Sequence, residues 1–502
     1  MPLIDKNKDL LLVMLSAFLL GLARLPHHLG FLGFVGLIPL LFYFDMKNHS
    51  GQRLFMAGFA YASVYCFTAL QWLSLVTLGG FVGIISLFTL YYFALFKAIN
   101  LVWHVYPRLK YLSFTVFWLT LEFLQNFSEL RFPWSDIGYS LSDYLALIQA
   151  ADIGGIYLLS SLLVISNCLI YHGYKTRKKM PFIALISLIF LWFGYGVYRI
   201  NSIKLVKHDE KIAIMQPSIP QDQKWDFRYL QDNLSRYTEL TSEVADTTTS
   251  MVIWPESCLP IPILRNNYYH NLIADLASSS KMAIFAGFPD RKIVDVNGVE
   301  TELYYNAASL IHPDGTVDEP YYKNYLVPFG ERMILLKLIP ALRKLNFGQA
   351  NWEYGTEINS YEYNGFRFSP QICFEVAFPE HTHRAYRNQL DYIINITNDA
   401  WFYYSAGTYQ HAMMNRFRAV ESRKQIYRAA NTGISIVIDP IGRILKKTAL
   451  FEITSIVVPL NTTEAVSLYY SYFYYLTYLF PIGAFVMLIA SLIRKPRKLS
   501  TK

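Results

Sequence analysis

Long apolar runs dominate both ends of the chain. A helix that crosses roughly 30 Å of hydrocarbon at about 1.5 Å per residue needs about 20 apolar residues. Runs near this length occupy residues 54–78, 80–103, 111–127, 153–172, 181–199 and 467–493. A further run at residues 10–44 is interrupted by Arg24-Leu25-Pro26 and is interpreted as two shorter helices. The pattern predicts a polytopic α-helical membrane domain of about eight transmembrane helices.

The segment from residue 200 to 466 has a different pattern. It is less apolar, and short β-like runs alternate with polar helical ones, as in an α/β domain. Predicted strands cover residues 212–215, 251–254, 282–285, 307–311, 366–374, 392–396, 434–438 and 455–458. We therefore expect a transmembrane helical domain (residues 1–199, about seven spans), an α/β domain (200–466), and a final transmembrane helix with a basic tail (467–502).

Lysine and arginine cluster beside the apolar runs. The clusters lie at residues 47–53, 108–110, 175–179 and 494–498, and all fall on one side of a membrane if the predicted helices alternate in direction. Such an excess of positive charge marks the cytoplasmic side. Both termini are thus expected in the cytoplasm and residues 200–466 outside it. Because these clusters explain the formal net charge of +8, no nucleic-acid partner is expected.

The four cysteines do not suggest a disulfide framework. Cys66 and Cys168 lie inside apolar runs, where a small buried hydrophobe is the expected role. Cys258 and Cys373 remain as candidates for chemistry, and an oxidised pair between them stays open in an oxidising compartment. A cysteine on a strand is by itself more often a buried hydrophobe than a nucleophile, so the neighbouring residues decide.

Three short strings follow predicted strands, where α/β domains usually place reactive groups. They are Trp254-Pro255-Glu256, the string from Tyr321 to Glu331 that contains Lys323, and Cys373-Phe374-Glu375. A thiolate attacks acyl groups readily, and an amine attacks the resulting thioester, provided that a base removes the thiol proton. Glu256 is the candidate base, since the apolar residues before it predict burial, and a buried carboxylate can take up a proton. Lys323 is the candidate cation for the developing oxyanion.

Taken singly, Glu256 is explained equally well as an ion-pairing carboxylate and Lys323 as a solvated cation. Together and in this order, however, the strings resemble those of the nitrilase (carbon-nitrogen hydrolase) superfamily, and nearly the whole chain resembles the apolipoprotein N-acyltransferases. The resemblance implies a four-layer αββα sandwich on the periplasmic side of the bacterial inner membrane. It also implies that Glu256 is the general base, Lys323 the oxyanion stabiliser and Cys373 the nucleophile.

The resemblance extends to residues that support the site or bind substrate. It implies this role for Trp225, Asn306, Glu331, Phe374, Glu375, Asn398 and Glu421. One departure is Phe374, because the family commonly has a tyrosine at this position. A hydrogen bond from a hydroxyl there is therefore not expected in this chain.

The implied reaction is a ping-pong acyl transfer, the last step of lipoprotein maturation. Cys373 takes an acyl chain from a phospholipid, phosphatidylethanolamine in this family. The amine of an S-diacylglyceryl cysteine at the start of an apolipoprotein then takes the chain from the thioester. The expected partners are the phospholipid donor, the diacylated apolipoprotein acceptor and the bilayer. No cofactor and no metal is expected, since the ester already carries its leaving group.

The stretch from Met333 to Leu345 is strongly apolar for an extracytoplasmic loop. It is interpreted as a lid or arm that dips into the lipid interface. Three other functions stay open. They are a membrane-tethered amidase or nitrile hydrolase that gives its thioester to water, a transporter, which the few paired charges in the spans disfavour, and a docking protein with an inert triad.

Overall fold

The computed structural model describes residues 8–245, 248–296, 298–333 and 351–494. These residues form two compact units, and the chain passes from one to the other after Asn201 and back again after Ser467. The first unit is helical and contains both ends of the described chain. The second unit contains the strands.

The helical unit is built from apolar helices, numbered here along the whole chain. They are α1 (Lys8–Ala23), α2 (Ile38–Met46), α3 (Gly51–Ala69), α4 (Leu73–Val76), α5 (Leu78–Val105), α6 (Lys110–Leu124), α7 (Leu145–Ile148), α8 (Ala151–Thr176), α9 (Met180–Ser202) and α15 (Leu479–Ile493). α3 packs against α1 and α5, and α15 packs against α6. Glu122 of α6 is buried in this unit, where its Oε1 accepts hydrogen bonds from Trp118 and from the main chain of Ile137, each of 2.9 Å.

Within the residues that the structure describes, four segments are long and apolar enough to cross a membrane, namely Leu78–Val105, Ala151–Thr176, Met180–Ser202 and Tyr469–Ile493. Each coincides with a predicted span. The shorter helices α3 and α6 occupy two further predicted runs, and α1 and α2 divide the interrupted run in two. The helical membrane domain is thus confirmed, while the number of crossings stays a prediction.

Among the described residues, the second unit contains two six-stranded sheets. The strands are β1 (Val206–Gln216), β2 (Thr249–Ile253), β3 (Ala283–Val296), β4 (Val299–Ile311), β5 (Tyr321–Tyr322), β6 (Tyr361–Tyr363), β7 (Phe366–Ile372), β8 (Tyr392–Thr397), β9 (Gln425–Ala430), β10 (Ile436–Ile438), β11 (Ile444–Lys447) and β12 (Thr454–Thr462). The sheet orders are β12-β1-β2-β3-β4-β5 and β11-β10-β9-β8-β7-β6. Each sheet has three parallel strands, β1 to β3 and β7 to β9, flanked by antiparallel ones.

Alternation along the strands explains how the layers pack. Ile212 and Ile214 of β1 share a buried cluster with Ile394 and Ile396 of the second sheet. The residues of opposite parity on β1 pack under helices instead. Helices α11 (Leu230–Glu243) and α12 (Asn267–Ser280) cover the first sheet, and α13 (Pro379–Tyr386) and α14 (Ala406–Ser422) cover the second. The unit is therefore the predicted four-layer αββα sandwich.

Every predicted strand coincides with an observed one, but the prediction for residues 366–374 was wrong at its end. Strand β7 stops at Ile372, because Cys373 has a φ of +52°, a left-handed conformation that an extended strand does not allow. The strings at Glu256 and Cys373 directly follow β2 and β7, as predicted, whereas the string from Tyr321 to Glu331 begins with β5, a strand that was not predicted. This arrangement brings them together.

Candidate active site

Cys373 begins a tight 3-10 turn, Cys373–Ala377, directly after β7. Its φ of +52° is a left-handed conformation, which costs roughly 1–2 kcal/mol for a residue with a Cβ. The turn leaves Cys373 half-buried, whereas the next four residues are buried. Residues strained in this way are concentrated at active sites. Cys373 is therefore the candidate nucleophile.

The electrostatic surroundings keep the thiol of Cys373 protonated. Burial raises the pKa of this thiol well above its ordinary value, and the carboxylate of Glu256 raises the pKa further. The ammonium of Lys323 opposes the shift without cancelling it. Because the thiolate is the nucleophile, attack by Cys373 requires a base that removes the proton.

Glu256 lies in the turn after β2 and is buried. Its Oε1 accepts a hydrogen bond of 2.7 Å from Nδ2 of Asn306, and its Oε2 accepts one of 2.8 Å from the main-chain amide of Asn398. Gly287 of β3 allows the close approach of this turn, since a Cβ there would lie 2.9 Å from Cα of Glu256. Two donors thus hold the carboxylate in one orientation, as a positioned base requires.

Lys323 follows β5, and its side chain is fully buried. Its Nζ lies 2.7 Å from Oε1 of Glu331 and 3.4 Å from Oε1 of Glu256. Burial acts to lower the pKa of this ammonium, but the two carboxylates outweigh burial and raise the pKa above its ordinary value. Lys323 is therefore a permanent cation, placed to stabilise negative charge that develops beside it.

Asn306 and Glu331 join the base to the cation. Nδ2 of Asn306 lies 3.2 Å from Oε1 of Glu331, in addition to its bond to Glu256. Oε2 of Glu331 accepts a hydrogen bond of 2.9 Å from the main-chain amide of Val327. The structure therefore brings Glu256, Lys323, Asn306 and Glu331 into one hydrogen-bonded group.

Glu375 connects the cysteine turn with the lysine loop. Its Oε2 accepts a hydrogen bond of 2.7 Å from the amide of Ile372, and its Oε1 accepts bonds from the amide of Asn324 (2.6 Å) and the hydroxyl of Tyr321 (2.7 Å). Burial raises the pKa of Glu375 to about 7, although these donors oppose the shift. In this geometry Glu375 anchors the main chain on both sides of the site.

Three other predicted site residues lie outside this group. Trp225 follows the short helix α10 (Gln221–Lys224), and the residue is 41% exposed. Phe374 is buried and packs edge-on against Phe378, with ring centroids 5.0 Å apart. Glu421 pairs with Arg418 of the same helix at 3.0 Å.

Helical geometry explains the pair of Glu421 with Arg418, because residues three apart in sequence are neighbours on one face of α14.

His411 of α14 contacts the site, although it lies in none of the three sequence strings. Its Nε2 lies 3.0 Å from the carbonyl oxygen of Cys373, which can only accept, so this nitrogen carries the proton and donates. Its Nδ1 lies between a carboxylate oxygen of Asp399 (2.9 Å) and Nη2 of Arg428 (3.1 Å). Asp399 and Arg428 form a buried ion pair of 2.6 Å. The imidazole thus fixes the main chain of the nucleophile to a rigid ionic group.

Cys258, the second candidate cysteine, is fully buried, and all four cysteines are free thiols in this structure. Burial raises the pKa of Cys258 to about 12. A thiol with so high a pKa carries little thiolate, so Cys258 is poorly suited to nucleophilic chemistry.

The predicted lid falls almost entirely on residues 334–350, which lie outside the described residues. The chain on either side is tied together. Nη1 of Arg332 donates to the carbonyl of Trp352 at 2.7 Å and pairs with Glu353 at 2.8 Å.

Family models match both units of the chain. Residues 16–169 match the apolipoprotein N-acyltransferase N-terminal domain, and residues 211–468 match the carbon-nitrogen hydrolase family. Among solved structures, an amidase from Nesterenkonia sp. is 18% identical and covers 52% of this chain and 92% of its own, with a TM-score of 0.39.

Curated relatives match over most of the chain. A protein named apolipoprotein N-acyltransferase from Geobacter metallireducens is 32% identical over 473 residues, which cover 89% of this chain and 88% of the relative. One of the same name from Rickettsia prowazekii is 34% identical over 352 residues, 69% of each chain. The chain therefore belongs to the apolipoprotein N-acyltransferase family and is an acyltransferase of the carbon-nitrogen hydrolase superfamily.

Proposed function

We propose that the chain is a multi-pass enzyme of the bacterial inner membrane that N-acylates apolipoproteins. The donor is a phospholipid, phosphatidylethanolamine, and the acceptor is the α-amine of an N-terminal S-diacylglyceryl cysteine. Cys373 is the nucleophile, Glu256 the general base and Lys323 the oxyanion stabiliser. The observation that carries this proposal is the pair of Glu256 and Lys323, 3.4 Å apart and buried, whose charges both act on the protonated thiol of Cys373.

In the first half-reaction, Glu256 removes the thiol proton and the sulfur of Cys373 forms a bond to the ester carbonyl carbon of the lipid. The carbonyl oxygen becomes an oxyanion, which the ammonium of Lys323 stabilises. Collapse of this intermediate breaks the ester C–O bond. The leaving alkoxide takes the proton from Glu256 and departs as a lysophospholipid, while the acyl chain stays on Cys373 as a thioester.

In the second half-reaction, the α-amine of the apolipoprotein attacks the thioester carbonyl carbon, and Lys323 again stabilises the oxyanion. Glu256 accepts a proton from the attacking nitrogen. The C–S bond then breaks, the thiolate of Cys373 regains that proton, and the product amide departs. The enzyme returns to its starting state without a cofactor.

The remaining site residues position these groups. Asn306 and Asn398 orient the base, Glu331 holds the cation, and Glu375 anchors the loops that carry Lys323 and Cys373. The exposed ring of Trp225 offers an apolar surface to the substrate. Both substrates are lipids anchored in a bilayer, which accounts for the combination of this site with apolar helices in one chain.

The catalytic unit lies on the periplasmic side, and both termini lie in the cytoplasm. Support for this orientation comes from the basic clusters at residues 47–53, 108–110, 175–179 and 494–498, which share one side if the apolar helices alternate.

The test is mass spectrometry of the purified full-length protein after incubation with phosphatidylethanolamine. The expected result is one added acyl mass on the peptide that contains Cys373, which disappears when a diacylated lipopeptide is supplied and reappears there as an amide. Cys373→Ala should take up no acyl group. Cys258→Ala, which removes a buried thiol of the same unit, should be acylated at the rate of the parent protein.

Two outcomes would contradict the proposal. The first is acylation that persists in Cys373→Ala. The second is a thioester that water removes as fast without the lipopeptide as with it, since this is the behaviour of a membrane-tethered hydrolase.

A further inference from the structure

Lys224 is a fully buried lysine beside the candidate base. It ends the short helix α10, one residue before the exposed ring of Trp225. Its Nζ donates a hydrogen bond of 2.9 Å to the main-chain carbonyl oxygen of Glu256. Within the part of the chain that the structure describes, this is the one hydrogen bond of the ammonium, and no carboxylate lies in ion-pair contact with it.

Such a burial is costly. An ammonium in a protein interior loses its hydration, a penalty of several kcal/mol that a single carbonyl offsets only in part. Burial accordingly lowers the pKa of Lys224 to about 8, and the nearby Cys258 and Glu256 oppose the shift. A methionine or leucine would fill the same space without this cost, so the charge or the hydrogen bond serves a purpose other than packing.

The contact falls at the centre of the turn that presents the base. Before the turn, the amide of Trp254 donates to Phe285 at 2.8 Å, and after it the amide of Cys258 donates to Gly287 at 2.7 Å, so both ends are fixed to β3. Ser257 within the turn has a φ of +49°, a strained left-handed conformation. Neither of these two hydrogen bonds involves the main-chain carbonyl of Glu256. That carbonyl accepts the hydrogen bond from Lys224 instead.

The loop of residues 218–225, here called the Trp225 loop, reaches Glu256 by a second route. Nδ2 of Asn398 donates to Oε1 of Gln221 in this loop at 2.9 Å. The main-chain amide of the same Asn398 donates to the carboxylate of Glu256. The Trp225 loop is therefore connected to both the main chain and the carboxylate of the base.

We infer that Lys224 is a positioning residue of the acyl transfer. Its ammonium holds the main chain of Glu256 by a hydrogen bond and thereby couples the Trp225 loop to the orientation of the catalytic carboxylate. The inference rests on the proposed role of Glu256 as general base. Lys224 acts through Glu256 and touches no reacting atom.

The test uses the full-length protein in detergent micelles that contain phosphatidylethanolamine. The rate of acylation of Cys373 is followed in a single turnover by mass spectrometry, and the apparent KM for lipid is measured in the steady state. Lys224→Met should lower the acylation rate about 10- to 100-fold with little change in KM. A misoriented Glu256 carboxylate slows the chemical step but does not weaken the binding of the lipid. Lys224→Arg, which keeps a charged donor, should recover most of the rate.

Lys446→Met is the matched control. Nζ of Lys446 also donates to a main-chain carbonyl, that of Val457 at 3.2 Å, but this lysine is exposed. Its variant should acylate at the parent rate. Thermal unfolding is recorded for every variant, and Lys224→Gln replaces the methionine variant if the latter does not fold.

A folded Lys224→Met or Lys224→Gln protein that acylates within about threefold of the parent overturns the inference, as does a loss that resides wholly in KM. Glu256→Gln is assayed in parallel. If Glu256→Gln is inactive while Lys224→Met is normal, only the role of Lys224 fails. If Glu256→Gln acylates normally, the proposed base itself is wrong.

Discussion

The carboxylate of Glu375 accepts a hydrogen bond of 2.6 Å from the main-chain amide of Asn324. Its other oxygen accepts one of 2.7 Å from the amide of Ile372. One side chain therefore fixes the main chain next to Lys323 and the main chain next to Cys373. The relative placement of the cation and the thiol depends on this single buried carboxylate.

Glu375→Gln should destabilise the protein by about 1–3 kcal/mol, because the new amide nitrogen would face a main-chain N–H group and leave a buried donor unpaired. The measurement is the free energy of unfolding of the purified variant against the parent. Glu362→Gln is the control, since the side chain of Glu362 is 60% exposed and its pair with Arg367 is a surface contact. The control should change stability by less than about 0.5 kcal/mol. Equal stability of Glu375→Gln and the parent would show that the hydrogen bonds from Glu375 to the two main-chain amides do not stabilise the fold.

His381 predicts a pH dependence of stability. Its Nε2 lies 2.8 Å from the hydroxyl of Tyr321, which donates to Glu375, and burial lowers the pKa of His381 from 6.5 to about 3. Between these two values the unfolded chain binds more protons than the native protein, so His381 makes the native state lose stability as the pH falls from 6.5 towards 3. His381→Gln should remove this part of the acid sensitivity.

Glu375 changes the stability with pH in the opposite direction, so its contribution must be separated from that of His381. Its folded pKa of about 7 lies above the ordinary 4.5, so the native protein binds more protons between these values and gains stability as the pH falls. The measurement is therefore the difference in melting temperature between the parent and His381→Gln across pH 4 to 7. The difference should shift in favour of the variant as the pH falls. A constant difference would contradict a buried neutral His381.

The fold could be predicted where the hydrophobic pattern and the strand ends coincide. Ile212 and Ile214 alternate with residues that face the helices, and this period of two identifies β1. Glu256 and Cys373 each follow such a strand, and parallel strands place their carboxyl ends at one edge of a sheet. The pattern thus places Glu256 and Cys373 at strand ends, but β2 and β7 belong to different sheets, and Lys323 follows the antiparallel strand β5, which was not predicted. The family resemblance, and not the strand pattern, grouped the three candidates.

Other parts depend on contacts that no local pattern contains. Strand β9 was missed because Gln425 and Arg428 suggest a surface, yet both are fully buried, and Arg428 pairs with Asp399. His411 lies 38 residues along the chain from Cys373, and only the packing of α14 on the second sheet brings the two together. The left-handed φ of Cys373 likewise depends on the turn that the hydrogen bond from the amide of Ile372 to Glu375 closes.

Gly287→Ala should impair catalysis more than stability. A Cβ at this position would lie 2.5 Å from Cδ1 of Ile396 and 2.9 Å from Cα of Glu256. The side chain of Ile396 can adopt another rotamer, but the main chain of Glu256 has to shift by several tenths of an ångström. A displacement of this order in a positioned base lowers the rate of acylation by about 10- to 100-fold. The measurement is the single-turnover rate of acylation of Cys373.

Gly83→Ala is the control for Gly287→Ala, because a Cβ at Gly83 of α5 meets nothing within 4 Å. It should leave the rate unchanged. A Gly287→Ala protein with the parent rate would show that the turn of Glu256 tolerates displacement, and the strict geometry assigned to the base would then be incorrect.

His411 should be replaceable by a side chain that donates from the same place. In His411→Gln the amide Nε2 can take the position of the imidazole Nε2 and donate to the carbonyl of Cys373, so the acylation rate should stay within about threefold of the parent. His411→Leu keeps the volume but leaves that carbonyl without its donor, which permits the strained turn to relax and should lower the rate at least tenfold, about 1.4 kcal/mol in activation free energy. His208→Leu is the control, since His208 bonds the hydroxyl of Thr462 at 2.7 Å, in the pair of strands β1 and β12. If His411→Leu and His208→Leu acylate equally fast, the imidazole of His411 does not position the nucleophile.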